Sequence, residues 1–283
     1  MALGGIEIGQ EIDLGEGLKL MRFMDTPDSF GKVMFDTSQS MLHLPGPTVT
    51  LIRQIKLPRI HFDPGSEYPR ELVHAGTVPV EVDEARLALT LVGPCAPVSF
   101  GFWLVPDKSV PVLVGSWVSS AESVELGATR KFEADDRIKA PIVVEQYRSL
   151  ASAVKDWVRV PLSRLNAALR RRSMVDSAVD LRVAMEALFL HDLDDDRGEL
   201  TLRVRIRAAR LLGRDLIQRR ALFKLFGDLY ALGSTAVHTG RLPPSHGGRS
   251  TQTLLEEGYS TVAKAIEEVM SRGPIDWTDV TLS

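Results

Sequence analysis

The sequence predicts an α+β chain: a β-rich first half, residues 1–158, arranged as a sandwich or half-barrel, followed by an all-helical second half, residues 159–283. Three observations carry this. Short runs of β-branched and aromatic residues, separated by Pro-Gly, Gly-Pro and Pro-Asp turn signals, fill the first half. Apolar residues three and four apart fill the second. The charge changes with the texture, from 15 Lys+Arg against 21 Asp+Glu before the boundary to 19 against 16 after it, mostly as arginine.

In chain order, strands are expected at Thr48 to Ile55, Ala85 to Val92, Val98 to Val105 and Val110 to Val118. The last two are nearly continuous apolar runs, as in strands buried on both faces. The many prolines and glycines of this half argue against long helices, and Trp103 and Trp117 read as core. Val144, Tyr147, Leu150, Val154 and Trp157 then predict a helix over Pro141 to Val158. A helix beginning near Pro161 ends at Arg170-Arg171-Arg172, charges that suit a helix C-terminus. Further helices follow around Val175 to Phe189, Leu222 to Leu232 and Leu255 to Val269. The last of these is predicted to start on a capping box of Thr253 and Glu256 and to stop at Ser271-Arg272-Gly273-Pro274. Four or five helices with short loops make a bundle.

A chain of 283 residues, 44% hydrophobic and 25% charged, buries a core without disulfide or metal staples. The single cysteine, Cys95, excludes an internal disulfide and zinc sites built on paired cysteines, and it fits a reducing compartment. No apolar run reaches the roughly 20 residues of a membrane span, and Met1 to Gln10 lacks the basic start and apolar stretch of a secretory signal. The expectation is a cytoplasmic protein with no membrane partner, no cofactor and no metal. His43, His61 and His74 are spaced without ligand logic. The run Asp192 to Asp196 resembles a calcium loop, but its register puts Arg197 where the turning glycine belongs and Arg203 where the closing glutamate belongs. It reads as a solvated loop.

Arg203, Arg207, Arg210 and Arg214 fall at i, i+4, i+7 and i+11, hence on one face of a helix. Such a row can hold phosphates bidentately as an RNA-binding stripe. It can equally pair with Asp192 to Asp196 or line a subunit interface. The dodecapeptide Leu229 to Gly240 (LYALGSTAVHTG) ends an amphipathic helix on His238, a residue suited to general acid–base work near neutral pH.

Three ordered segments carry a family likeness: Asp180 to Leu190 (DLRVAMEALFL), Glu199-Leu200 with Arg205 to Leu212 (RIRAARLL), and Leu229 to Gly240. Over about residues 162–270 they resemble the HEPN superfamily, and within it the ApeA-like HEPN domains. The resemblance implies a helical bundle that pairs as a homodimer, with metal-independent endoribonuclease activity in defence or stress response. It places His238 at the family's catalytic histidine and Ser234 at the serine after the family's arginine. That arginine is replaced here by Gly233, which offers no charge to an oxyanion and puts catalysis in doubt. Arg241, Arg220 and Arg207 are the arginines that compete to replace it. The alternative is a non-catalytic dimeric binding or regulatory module. Residues 1–158 match no motif and are expected to sense a ligand or partner and restrain the bundle.

Overall fold

The computed structural model describes residues 1–29, 31–33, 36–37, 46–55, 70–105, 117–119, 125–192 and 199–282, without the side chains of 70–77, 117–119 and 282. Strands β1 (Ala2–Gly4), β3 (Ile12–Gly15), β4 (Leu18–Arg22), β5 (Val49–Arg53), β6 (Val98–Trp103) and β7 (Trp117–Ser119) form one antiparallel sheet in the order β3-β4-β5-β1-β6-β7. β2 (Ile6–Glu7) pairs in parallel with β8 (Arg130–Lys131). The alternation of apolar and polar residues in β3 and β4 buries Ile12, Leu14, Leu18 and Leu20 and leaves Asp13 and Lys19 outside. Trp103 is core as expected, edge-on to Phe23 at 6.5 Å.

The remainder is helical: α1 (Arg70–Ala88), α2 (Ala134–Arg148), α3 (Ser152–Arg170), α4 (Met174–Phe189), α5 (Leu200–Leu212), α6 (Leu216–Thr239), α7 (Thr251–Arg272) and the short α8 (Trp277–Leu282). A small hairpin, β9 (Ser245–His246) with β10 (Arg249–Ser250), separates α6 from α7.

Several sequence expectations are corrected. Ala85 to Val92 is not a strand but the end of α1 and a 3-10 turn over Leu89–Leu91. Val78, Val82, Ala85 and Leu89 are all buried at spacings of four, three and four, and a helix buried on most sides presents the same apolar run as a buried strand. Long helices do occur in the first half, and Pro79, Pro141 and Pro161 lie inside α1, α2 and α3. Each proline forfeits one backbone hydrogen bond, a loss the surrounding packing outweighs. The helix expected over Pro141 to Val158 is two helices, broken at residues 149–151. Of Val110 to Val118, all but the last two residues lie outside the described ones, as do His43, His61 and Asp194 to Asp196. The cap of α7 is Ser250, whose hydroxyl accepts from the Thr253 N–H at 3.1 Å, so Thr253 is already inside the helix.

The 158/159 boundary falls within α3. Val154, Val158, Leu162 and Leu165 of this amphipathic helix are buried in one continuous core that runs from Leu3 of the sheet to Trp277 of α8. Asn166 of α3, buried, donates to the Thr90 hydroxyl at 3.1 Å and the Pro97 carbonyl at 3.2 Å. Lys155 reaches Glu84 at 3.2 Å and Lys139 reaches Glu267 at 2.7 Å, so polar links as well as apolar packing join the strand-rich part to the helices. Helices α1 and α2 pack on the sheet, and α3 to α8 pack chiefly on one another.

Candidate functional site

Helix α6 organises the site. Asp215 caps its start by accepting from the Gln218 N–H at 2.8 Å. Phe226, Leu229, Leu232, Gly233 and Ala236 turn one face inward. Gly240 ends the helix with φ 64°, a left-handed conformation that costs a glycine little. Thr239 fastens this end. Its hydroxyl donates to the Thr235 carbonyl at 2.7 Å and accepts from the Arg241 N–H at 3.2 Å.

His238 lies in the last turn and is exposed. Among the described residues it has no hydrogen-bond or ion-pair partner. Ser234, one turn earlier, is half-buried, and Val237 is exposed. The imidazole is thus accessible to a ligand while its backbone is held by the cap.

Gly233 has the opposite environment. It is buried where α4 crosses α6, and a Cβ added there would lie 2.6 Å from Arg182 Cβ, 2.9 Å from Arg182 Cδ and 3.1 Å from the Ala178 carbonyl oxygen. The Arg182 side chain therefore runs across the space that a side chain at 233 would need. Its guanidinium sits 4.5 Å from the Tyr230 ring centre, donates to Glu186 at 2.9 Å and reaches the Tyr230 hydroxyl at 3.2 Å. That hydroxyl donates to Glu186 at 2.7 Å. Burial opposes the Arg182 charge, but Glu186 outweighs it and the net effect raises the pKa; burial and the bond to Glu186 both push the Tyr230 phenol up. This Arg-Glu-Tyr cluster escaped the motif reading, although Arg182 and Glu186 at i, i+4 and Tyr230 in the closing signature were its signal.

The arginine row does not form a single stripe. Arg207 is buried and makes a bidentate pair with Asp192 at 2.6 and 2.9 Å, donates to the Phe189 carbonyl and lies 5.2 Å from the Trp277 ring centre. Burial pushes the Asp192 carboxyl up, but the hydrogen bonds and charge of Arg207 prevail and hold it below the ordinary carboxylate range. Arg203 is half-buried and not free. Arg210 is half-buried in the last turn of α5. Arg214 is exposed but lies beyond Gly213, the C-cap, so helical spacing no longer places it. Of the row, Arg207 takes the pairing with Asp192 that its spacing also allowed.

The three candidate replacements for the family arginine separate cleanly. Arg207 is spent on Asp192. Arg220 stands 18 residues before His238 on the same helix, about 27 Å along its axis at 1.5 Å per residue. Arg241 follows His238 by three residues, is exposed, and among the described residues its guanidinium has no partner.

Comparison with family models, with curated proteins and with solved structures gives no match in any of the three. None of the three identifies a HEPN domain. Among the described residues no three His, Cys, Asp or Glu side chains converge as a metal ion requires, and no helix is long and apolar enough to cross a membrane.

Proposed function

We propose that the helical half is an ApeA-like HEPN bundle that pairs with a second copy and acts on RNA in the cytoplasm, as an effector in defence or stress response. The observation that carries this reading is His238, exposed and, among the described residues, without a partner on a capped helix end, in the position the family signature assigns to its proton-transfer residue. The chemistry needs no metal. The ribose 2′-oxygen bonds to phosphorus as the bond from phosphorus to the 5′-oxygen breaks, leaving a 2′,3′-cyclic phosphate and a 5′-hydroxyl. The 2′-hydroxyl proton is taken up by one base and a proton is delivered to the leaving oxygen by one acid. His238 of the two copies can divide those roles. Residues 1–158 then restrain the bundle, coupled to it through α3.

Incubation of the purified chain with mixed cellular RNA in chelator, beside His238→Ala, tests the reading. General acid–base catalysis contributes about 10²- to 10⁴-fold, so the variant is expected to fall by that factor. Equal inactivity of both removes the nuclease.

A second reading, a non-catalytic dimeric HEPN-like binding module, is favoured by Gly233. The family's arginine position is buried beneath Arg182, whose guanidinium is already bound to Glu186. RNA binding without cleavage, weakening with salt, is its signature.

A further inference from the structure

We infer that the tip of the α5–α6 hairpin docks on an anionic lipid surface, its two exposed aliphatic side chains entering the headgroup boundary and its arginines meeting lipid phosphates. This contact is independent of the RNA reading above and departs from the expectation of no membrane partner. From residue 200 to residue 227 the chain carries seven arginines and Lys224 against a single acid, Asp215. Asp192 balances Arg207, and Asp228 balances Lys224. Arg205 and Arg219 donate to the main-chain carbonyls of Phe223 and Gly213, both at 3.1 Å, and among the described residues no carboxylate offsets their charge. Arg214 and Arg220 are exposed, one on each side of the turn into α6. The closed end of the hairpin is therefore cationic.

Between these two arginines stand Leu216 and Ile217, 62% and 81% exposed in the first turn of α6. The turn that presents them is tied. The Gly213 N–H donates to the Ala209 carbonyl at 2.9 Å, the Arg214 N–H to Gln218 Oε1 at 3.1 Å and the Arg219 N–H to the Asp215 carbonyl at 2.9 Å. Aliphatic side chains flanked by arginines suit an anionic bilayer: the apolar pair enters the boundary by about 5–10 Å while the arginine stems reach back to the phosphates. Among the described residues no helix is long and apolar enough to cross a membrane, which bears on a span and not on this contact. Other occupants fit less well. Residues 210–220 are too few for a stable protein interface, which takes roughly 20–30 residues a side. RNA is offered no stacking platform, because the hairpin's aromatic rings are Phe226, buried, and Phe223, half-buried with the Arg205 guanidinium 3.8 Å above it.

The test sediments the full chain with vesicles of phosphatidylcholine, with and without phosphatidylglycerol, across a range of salt. The native chain is expected to follow the anionic vesicles, to stay behind with the neutral ones and to be released as salt rises. Arg214→Gln/Arg220→Gln weakens the binding about 25-fold, or about fivefold for each charge. Leu216→Ser/Ile217→Ser weakens it by about tenfold or more and, since both side chains face solvent, keeps the native urea midpoint. Lys264→Ala, which removes an exposed charge on α7, changes nothing. As a second readout, the indole added by Ile217→Trp shifts its emission to the blue on anionic vesicles only. A native chain left in the supernatant with anionic vesicles, or sedimentation unchanged by either pair of substitutions, overturns the inference. So does an oligoribonucleotide held through Arg214 and Arg220 by a chain that ignores the vesicles, which assigns the tip to RNA.

Discussion

The Arg182 side chain lies across Gly233, its Cβ only 2.6 Å from where a Cβ on that glycine would stand. The absence of a side chain at 233 and the presence of a long one at 182 are one packing solution: α4 and α6 approach closely because the glycine lets the arginine stem pass. The charged head of Arg182 reaches Glu186 and Tyr230.

Placing an arginine at position 233 is therefore expected to damage the fold. Overpacking a close contact costs about 1–3 kcal/mol, and both Gly233→Ala and Gly233→Arg fall in or beyond that range. Removing the obstructing atoms, Cβ included, in Arg182→Gly/Gly233→Ala recovers part of the loss, because the two positions share one space. Urea midpoints for the single and double variants check this; additive losses would show that the two side chains do not compete.

Arg207 and Arg214 give opposite outcomes. Arg207→Ala strips a buried guanidinium from Asp192 and the Phe189 carbonyl, with an expected loss of about 2 kcal/mol, discounted because Asp192 is partly exposed. Arg214→Ala stays within about 0.5 kcal/mol. Chemical denaturation of the two variants beside the native chain decides between a packing role and a solvent-facing stripe.

Acid weakens the fold in two steps. Burial depresses the His191 pKa, where the imidazole stacks on Trp157 at 3.8 Å, and Arg207 opposes its charge further, while Asp192 works against both. A group whose folded pKa lies below its unfolded value stabilises the fold above that value. The unfolded state binds the extra proton, so stability falls as pH drops through about 6.5. At Asp228 burial pushes the carboxyl up, but Lys224 and Arg249 more than offset it and the net pKa is lowered. Asp192 is likewise lowered on balance, so the stability these two carboxylates add is present above about pH 4 and is lost below it. Urea midpoints measured from pH 8 to pH 3 are expected to show both declines, with His191→Gln lacking the first. A flat profile between pH 8 and pH 5 in the native chain contradicts the assignment.

Cys95 is expected to be unreactive in the folded chain. Burial pushes its thiol up to about 12 and the side chain donates to the Leu89 carbonyl at 3.2 Å. Aromatic disulfide reagents are expected to modify it only in denaturant, at least a hundredfold slower without, because the thiolate is the reacting species. Stoichiometric labelling of native protein within minutes would show the pocket to be open.

How much of this was legible in the sequence depends on what each residue faces. The periodicity of α4, α6 and α7 was readable because one face is apolar and the other polar. Helix α1 was hidden, since its residues Val78, Val82 and Ala85 belong to a segment buried on several sides and Pro79 reads as a breaker. Spacing placed Arg203, Arg207 and Arg210 on one helix and left both phosphate binding and pairing with Asp192 to Asp196 open; which arginine turns inward to Asp192 is revealed only by the packing. Arg214 was misplaced by two residues' worth of helix, and Gly213, which ends α5, was the available signal. His238 was legible as the end of an amphipathic helix. That Gly233 lies under Arg182, and that Thr239 fixes Arg241, required the three-dimensional approach of α4 and the geometry of the cap.

In the proposed function His238 transfers protons on RNA without a metal. Mass analysis of the 3′ ends of a defined oligoribonucleotide, incubated with the full chain in chelator, tests it most directly. The account predicts 2′,3′-cyclic phosphate ends that accumulate with the native chain, are lost by about 10²-fold or more in His238→Ala, and do not form where the cleaved position carries a 2′-deoxyribose. Intact oligonucleotide with the native chain, or equal cyclic-phosphate yield from His238→Ala, contradicts it.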